Sequence, residues 1–265
     1  MGGCPSSPSD TGTGSRQLRG TTARVHPGGA VNGTVRLVDS VPEAFAQLVI
    51  ERMGEPHEDG FSLFLSGGGT AEESYRSLAD RSVGTRQPLD WSEVDVYLGD
   101  ERCVPPDDPD SNHRMVTEVL LDRVGPVRSD HPMYRSGPPD AAAASYQRVV
   151  EALGPLDLVH LGLGPDGHCA SLFPGSAALA LDDTGTLVVA NRDPAANNPH
   201  DRITLTLPAI ARARLVVFTV SGPTKREAFA RIVAGDDLPA GRVTAAEVIW
   251  LVDDAAAGDA VPPVR

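Results

Sequence analysis

Residues 61–79 read FSLFLSGGGTAEESYRSLA. A short apolar run at 61–65 has the length of a strand, passes through Ser66, three glycines and Thr70, and continues into helical spacing over 71–79. A strand, a glycine turn and a helix in that order form the first half of a βαβ unit. Working outward, the same alternation fills the chain. Strands are expected at 35–38, 94–98, 156–163, 187–190, 203–207, 215–220 and 248–252, and helices at 42–53, 113–124, 141–153 and 224–233. Strands that alternate with helices predict an α/β fold with a mostly parallel sheet flanked by helices on both faces. No repeat or composition break divides it. One domain is expected over 31–254, between a Gly/Ser/Thr/Pro-rich, disordered tail at 1–30 and a short Ala/Gly/Pro tail at 255–265.

The chain has 265 residues, 40% of them hydrophobic, enough for a substantial core. Its 36 acidic and 23 basic residues give a formal charge of −13, which argues against nucleic-acid and anionic-membrane partners. No run approaches the roughly 18 apolar residues of a membrane-spanning helix, so a cytoplasmic protein is expected. Three scattered cysteines, Cys4, Cys103 and Cys169, suit a reducing compartment. The first residues, MGGCPS, match an N-acylation pattern, but a plain initiator and tail explain them as well. No apolar secretory segment follows. Among the 23 basic residues there is a single lysine, Lys225.

In parallel α/β sheets, ligands bind beyond the carboxyl ends of the strands. Four expected strands end there in unusual loops. The first, Ser66-Gly67-Gly68-Gly69-Thr70, offers close backbone approach, a helix start and two hydroxyls, the chemistry of a phosphate cradle. It is neither a Walker loop nor a dinucleotide fingerprint, and a ligand-free tight turn is the competing reading. The second loop, from Gly99, places Asp100 and Glu101 beside Arg102. Carboxylates suit sugar hydroxyls and a guanidinium suits an anion, although a salt-bridged turn would use the same residues. The third, GLGPDGH at 162–168, carries His168 with Asp166 two positions earlier, a base and its orienting carboxylate. A loop histidine satisfied by backbone is the alternative. His160, inside the strand, is expected in the core. In the fourth, Thr224 and Glu227 have capping-box spacing, which sets Lys225 and Arg226 in a first helical turn, against the macrodipole unless an anion binds. There is no nucleophile elbow and no zinc-type pattern.

Together these loops resemble the 6-phosphogluconolactonase family, within the wider group that includes glucosamine-6-phosphate deaminases. The resemblance lies in LSGGGT at 65–70, YLGDERCVPPDDPDSNHRM at 97–115, LGLGPDGHCASLFPG at 161–175, RITLTL at 202–207 and GPTKRE at 222–227. In order and spacing it spans about 35 to 252. It implies a Rossmann-like three-layer fold and hydrolysis of 6-phospho-D-glucono-1,5-lactone, a step of the pentose phosphate pathway. It also implies His168 as general base supported by Asp166, a 6-phosphate held by Ser66–Thr70, Arg202 and Lys225, and Arg102 in the substrate pocket. Asp100 and Glu101 join that substrate set. No metal or organic cofactor is implied, and the partner is a small sugar-phosphate lactone. The deaminases look like Asp-Glu-Tyr where this chain has Asp100-Glu101-Arg102. They carry an acidic residue after the DGH motif where this chain runs Ser171-Leu172-Phe173-Pro174. A non-catalytic sugar-phosphate binder would have little reason to keep both His168 and Asp166, and a dehydrogenase fails on glycine spacing.

Cys169 stands where the family more often carries threonine. Beside His168 its thiol is expected either to ionise and oxidise readily or to be a small packing residue. Lys225 gains weight from composition, since a chain otherwise using arginine keeps its one compact ammonium at a phosphate-contact position.

Overall fold

The computed structural model describes residues 31–83, 89–182 and 185–261, together with the backbone of 21–24. The acylation pattern with Cys4 lies outside these residues. A central sheet of eight strands has the order β1 (Thr21–Arg24), β2 (Thr34–Leu37), β11 (Glu247–Val252), β10 (Ala213–Val220), β7 (Leu156–Gly162), β3 (Phe61–Leu65), β4 (Val94–Leu98) and β6 (Ser129–His131). Every pairing is parallel except β1 with β2. The expected mostly parallel sheet is therefore present. β1 is a strand within the stretch that composition assigns to a disordered tail.

Helices cover both faces. Register sets His160, Val217 and Ile249 side by side on one face and Leu161, Phe218 and Trp250 on the other. α1 (Val41–Met53) packs on the first, with Phe45 4.2 Å from the His160 ring, centroid to centroid. α7 (Arg226–Ala234) packs on the second, where Phe229 meets Trp250 and Trp250 stacks on Phe218. Burial on both faces is why these strands read as continuous apolar runs rather than alternating ones. α1 starts where sequence rules place it, with Ser40 accepting from the Glu43 amide and Pro42 in the first turn.

The predicted helix at 113–124 is an α-helical turn, α3 (Asn112–Val116), a π-helical stretch at Thr117–Leu121 and a last turn, α4 (Asp122–Val124). α2 (Gly69–Val83) and α5 (Pro139–Glu151) fall as expected.

Two further features depart from expectation. The stretches read as strands at 187–190 and 203–207 do not join the main sheet. β8 (Val188–Asn191) and β9 (Arg202–Leu205) form a small antiparallel sheet with β5 (Asp100–Arg102), a strand where a loop was expected. α6 (Leu207–Ile210) follows β9. At the carboxyl end, α8 (Asp254–Ala257) is part of the packed structure, with Ala256 and Ala257 buried, although composition places the tail from 255. Small apolar side chains read as tail because they carry no periodic signal, yet they are what a close contact between α8 and α7 needs. Among the described residues no helix is long and apolar enough to cross a membrane.

Candidate active site

In chain order the parallel strands run outward from β3 through β4 to β6, then return to β7 and continue through β10 and β11. The direction of winding reverses between β3 and β7, so their carboxyl-end loops part and leave a crevice. Only Leu63–Leu158 and Phe64–Val159 are in register across this seam. A crevice of about 170 Å³ opens there, with Ser66, Gly67, Gly68, Asp100, Arg102, Asn112, Gly162–Pro165, His168, Arg202 and Lys225 among its lining residues. The four loops singled out in the sequence meet at this point.

The glycine loop turns from β3 into α2. Gly68 has φ +101°, a conformation that side chains other than glycine adopt with strain. Gly67 is required for a different reason: a Cβ there would overlap the Asn112 side-chain amide. Asn112 is buried, and its Nδ2 donates to the Asp100 carbonyl at 2.9 Å. It braces two site loops against each other, and sequence reading passed over it. Gly69 and Thr70 begin α2 behind the crevice wall and do not line it.

β5 explains the acidic loop. Alternation along a strand sends neighbouring side chains to opposite faces. Asp100 and Arg102 face the crevice, whereas Glu101 is turned away from it. The Glu101 carboxylate accepts from the amides of Arg102, Asn112 and His113 and from Ser111 Oγ, at 2.7–3.1 Å, and so caps the start of α3. The expected substrate role of Glu101 is corrected: its oxygens are already occupied. Asp100 accepts from Ser171 Oγ at 2.6 Å.

Arg102 and Arg202 stand directly opposite each other in the β5–β9 ladder. Like charges in that position repel. Arg202 is 4% exposed, and its Nε has no hydrogen-bond partner among the described residues. Burial pulls its guanidinium below the usual range; nearby Asp100 opposes the shift and Arg102 adds to it. Burial likewise lowers Lys225, with Asp166 acting in the other direction. An anion in the crevice would relieve both.

Lys225 ends a 3₁₀ turn (Pro223–Lys225) ahead of α7, and no side chain caps that helix start. The expected capping box between Thr224 and Glu227 is therefore not formed. Asp253 organises the turn instead, accepting from Ser221 Oγ at 2.6 Å and from the Gly222 amide at 3.0 Å. Its only sequence signal was its place at the end of the last strand.

Past β7 the chain doubles back, with the Gly164 amide donating to the His168 carbonyl at 2.8 Å. This returns the His168 ring to Asp166 Oδ1, 2.6 Å from Nδ1. A Cβ on Gly164 would overlap both side chains. A carboxylate only accepts, so Nδ1 carries a proton, and in the neutral ring Nε2 is the atom with the lone pair. Burial raises the Asp166 carboxyl, but the His168 ring and backbone amide outweigh it and hold it below the usual range. Cys169 is buried. Burial, with Asp100 nearby, pushes its thiol up, so the expectation of an easily ionised thiol is corrected and the packing reading holds. His160 is fully buried, as expected.

A larger hollow of about 550 Å³ lies at the amino-terminal end of the strands. Within it Arg128 pairs with Asp95 and Arg214 with Asp157. Among the described residues no group of three or more His, Cys, Asp or Glu is placed to hold a metal ion.

Fold and site define a doubly wound α/β protein with an anion-accepting crevice at its switch point and a histidine–carboxylate pair on the rim. Comparison with known proteins agrees. The family described as glucosamine-6-phosphate isomerases/6-phosphogluconolactonase matches residues 35–250, and the chain belongs to it. It is 40% identical over 213 residues to a 6-phosphogluconolactonase of Mycobacterium tuberculosis, covering 74% of this chain and 83% of that one. A 6-phosphogluconolactonase of Synechocystis is 40% identical over 210 residues, covering 74% and 82%. The crystal structure of a 6-phosphogluconolactonase from Thermotoga maritima superposes with a TM-score of 0.71 at 30% identity, covering 83% of this chain and 98% of that one.

Proposed function

We propose that this chain hydrolyses 6-phospho-D-glucono-1,5-lactone to 6-phospho-D-gluconate in the pentose phosphate pathway. The observation that carries the reading is the His168–Asp166 pair on the rim of a crevice whose cations, Arg102, Arg202 and Lys225, form no salt bridge among the described residues.

The phosphate enters between the Ser66–Gly68 backbone, Arg202 and Lys225, which leaves the lactone ring toward His168. Nε2 takes a proton from water as that water adds to the lactone carbonyl. The carbonyl oxygen becomes an oxyanion, near enough to the Arg102 guanidinium for charge stabilisation. The tetrahedral adduct then collapses, the bond to the ring oxygen breaks, and the imidazolium returns its proton to that oxygen as a hydroxyl. Asp166 holds the Nδ1–H tautomer throughout and stabilises the imidazolium. A lactone is an activated ester, so positioning, one base and a stabilised oxyanion are sufficient.

Freshly prepared lactone, followed against its spontaneous opening, tests the reading. His168→Ala is expected to lose about 10²- to 10⁴-fold of the acceleration, the range of general-base catalysis. A variant as active as the parent would remove His168 from the mechanism. Ammonia release from glucosamine 6-phosphate, without lactone opening, would assign the chain to the other branch of its family.

A further inference from the structure

The backbone groups at the carboxyl end of β3 have to be satisfied without a full strand on the β7 side, because the seam opens after Phe64–Val159. One side chain supplies both missing partners of Ser66. The Tyr75 hydroxyl, from the second turn of α2, accepts from the Ser66 amide at 2.7 Å and donates to the Ser66 carbonyl at 3.0 Å. The same hydroxyl is 2.6 Å from Nδ1 of His160, whose Nε2 is 2.8 Å from Thr219 Oγ1 on β10.

The proton assignment follows from counting donors. Tyr75 has one hydrogen, and giving it to Ser66 leaves its oxygen to accept from both the Ser66 amide and His160 Nδ1–H. Thr219 then donates to Nε2. This arrangement satisfies every contact, whereas Tyr75 donating to His160 would leave the Ser66 carbonyl without its partner. His160 is therefore a neutral Nδ1–H tautomer, consistent with burial pushing it down to about 3.

Tyr146 repeats the device one strand over. From α5 it accepts from the Leu98 amide at 2.9 Å and donates to the Leu98 carbonyl at 3.2 Å, at the point where β4 outruns its β6 partner. Leu98 leads through Gly99 into Asp100. Two buried tyrosines thus hold the last backbone step before each of two site loops.

We propose that Tyr75, oriented by His160 and Thr219, is a positioning residue that fixes the Ser66–Gly68 turn in its anion-binding shape. It joins the end of β3 to the helix that follows, so the turn between them is held at both ends. This inference rests on the functional reading above for the ligand it serves, but its test does not depend on turnover.

Inorganic phosphate is titrated into the full chain while the amide resonances of Gly67, Gly68 and Gly69 are followed. Tyr75→Phe and Thr206→Val each delete a buried hydroxyl, the second outside the crevice, where Thr206 Oγ1 donates to the Thr186 carbonyl at 2.7 Å, so both lower the melting temperature. Only Tyr75→Phe is expected to weaken phosphate binding, by about tenfold, and to raise KM for the lactone more than it lowers kcat. Equal losses of phosphate affinity in the two variants, or affinity within twofold of the parent in Tyr75→Phe, would overturn the proposal. Should Tyr75→Phe fail to fold, His160→Leu serves in its place. It frees the tyrosine hydroxyl to turn and is expected to weaken phosphate binding severalfold; unchanged affinity counts against the proposal. A parent chain that binds phosphate but opens no lactone would defeat the functional reading and leave this one standing.

Discussion

At the scale of single residues, the two histidines of the β7 region have opposite fates four and twelve residues into one segment. His168 is partly buried on the rim and hydrogen-bonded to a carboxylate; His160 is sealed among Phe45, Tyr75 and Thr219. The second has a consequence for acid stability. Its folded-state value is about 3, against 6.5 for the exposed group. Between these values the unfolded chain binds a proton that the folded chain refuses, so stability falls as pH drops through that window and the loss is complete below it. The slope contributed is about 1.4 kcal/mol per pH unit. His160→Leu is expected to flatten the pH dependence of urea unfolding between pH 6.5 and 4.5 by that one-proton slope, and an unaltered slope would show that His160 does not titrate this way. Sequence placed both histidines correctly because position in an apolar run separates them. It misplaced Glu101, since proximity to Asp100 and Arg102 says nothing of which face a side chain takes until the strand is known.

At the scale of elements, long apolar runs such as 156–163 and 215–220 were legible because burial on both faces leaves a continuous hydrophobic record. β5 was not. Its three residues are all charged and its partner, β9, lies about a hundred residues away, beyond any local pattern. The start of α7 was misread for a related reason. Thr224 and Glu227 have the right spacing, but the turn is 3₁₀ and is secured from outside by Asp253, which follows β11. That makes Asp253 a remote determinant of where Lys225 stands. Asp253→Ala is expected to raise KM for the lactone on the order of tenfold with a smaller change in kcat. Steady-state kinetics would reveal the opposite split if the residue served the chemical step instead.

At the scale of the whole molecule, a −13 chain gathers three cations around one crevice, none of which forms a salt bridge among the described residues, while other arginines of the surface pair with acids. Long-range charge disfavours an anionic ligand; affinity has to come from contacts within a few ångströms, inside the Debye length of about 8 Å at physiological salt. The Arg102–Arg202 rung is the extreme case, two like charges in register with one of them buried. Selection for durability alone would have removed it. Arg202→Met keeps the volume and drops the charge, and is expected to raise the melting temperature of the unliganded chain while weakening phosphate binding, with the parent regaining the difference when ligand is added. Thermal melts with and without phosphate would test this, and a less stable unliganded variant would contradict it. Any effort to harden this protein by optimising its apo form would therefore converge on the residue it can least spare, and libraries screened by heat should be screened with ligand present.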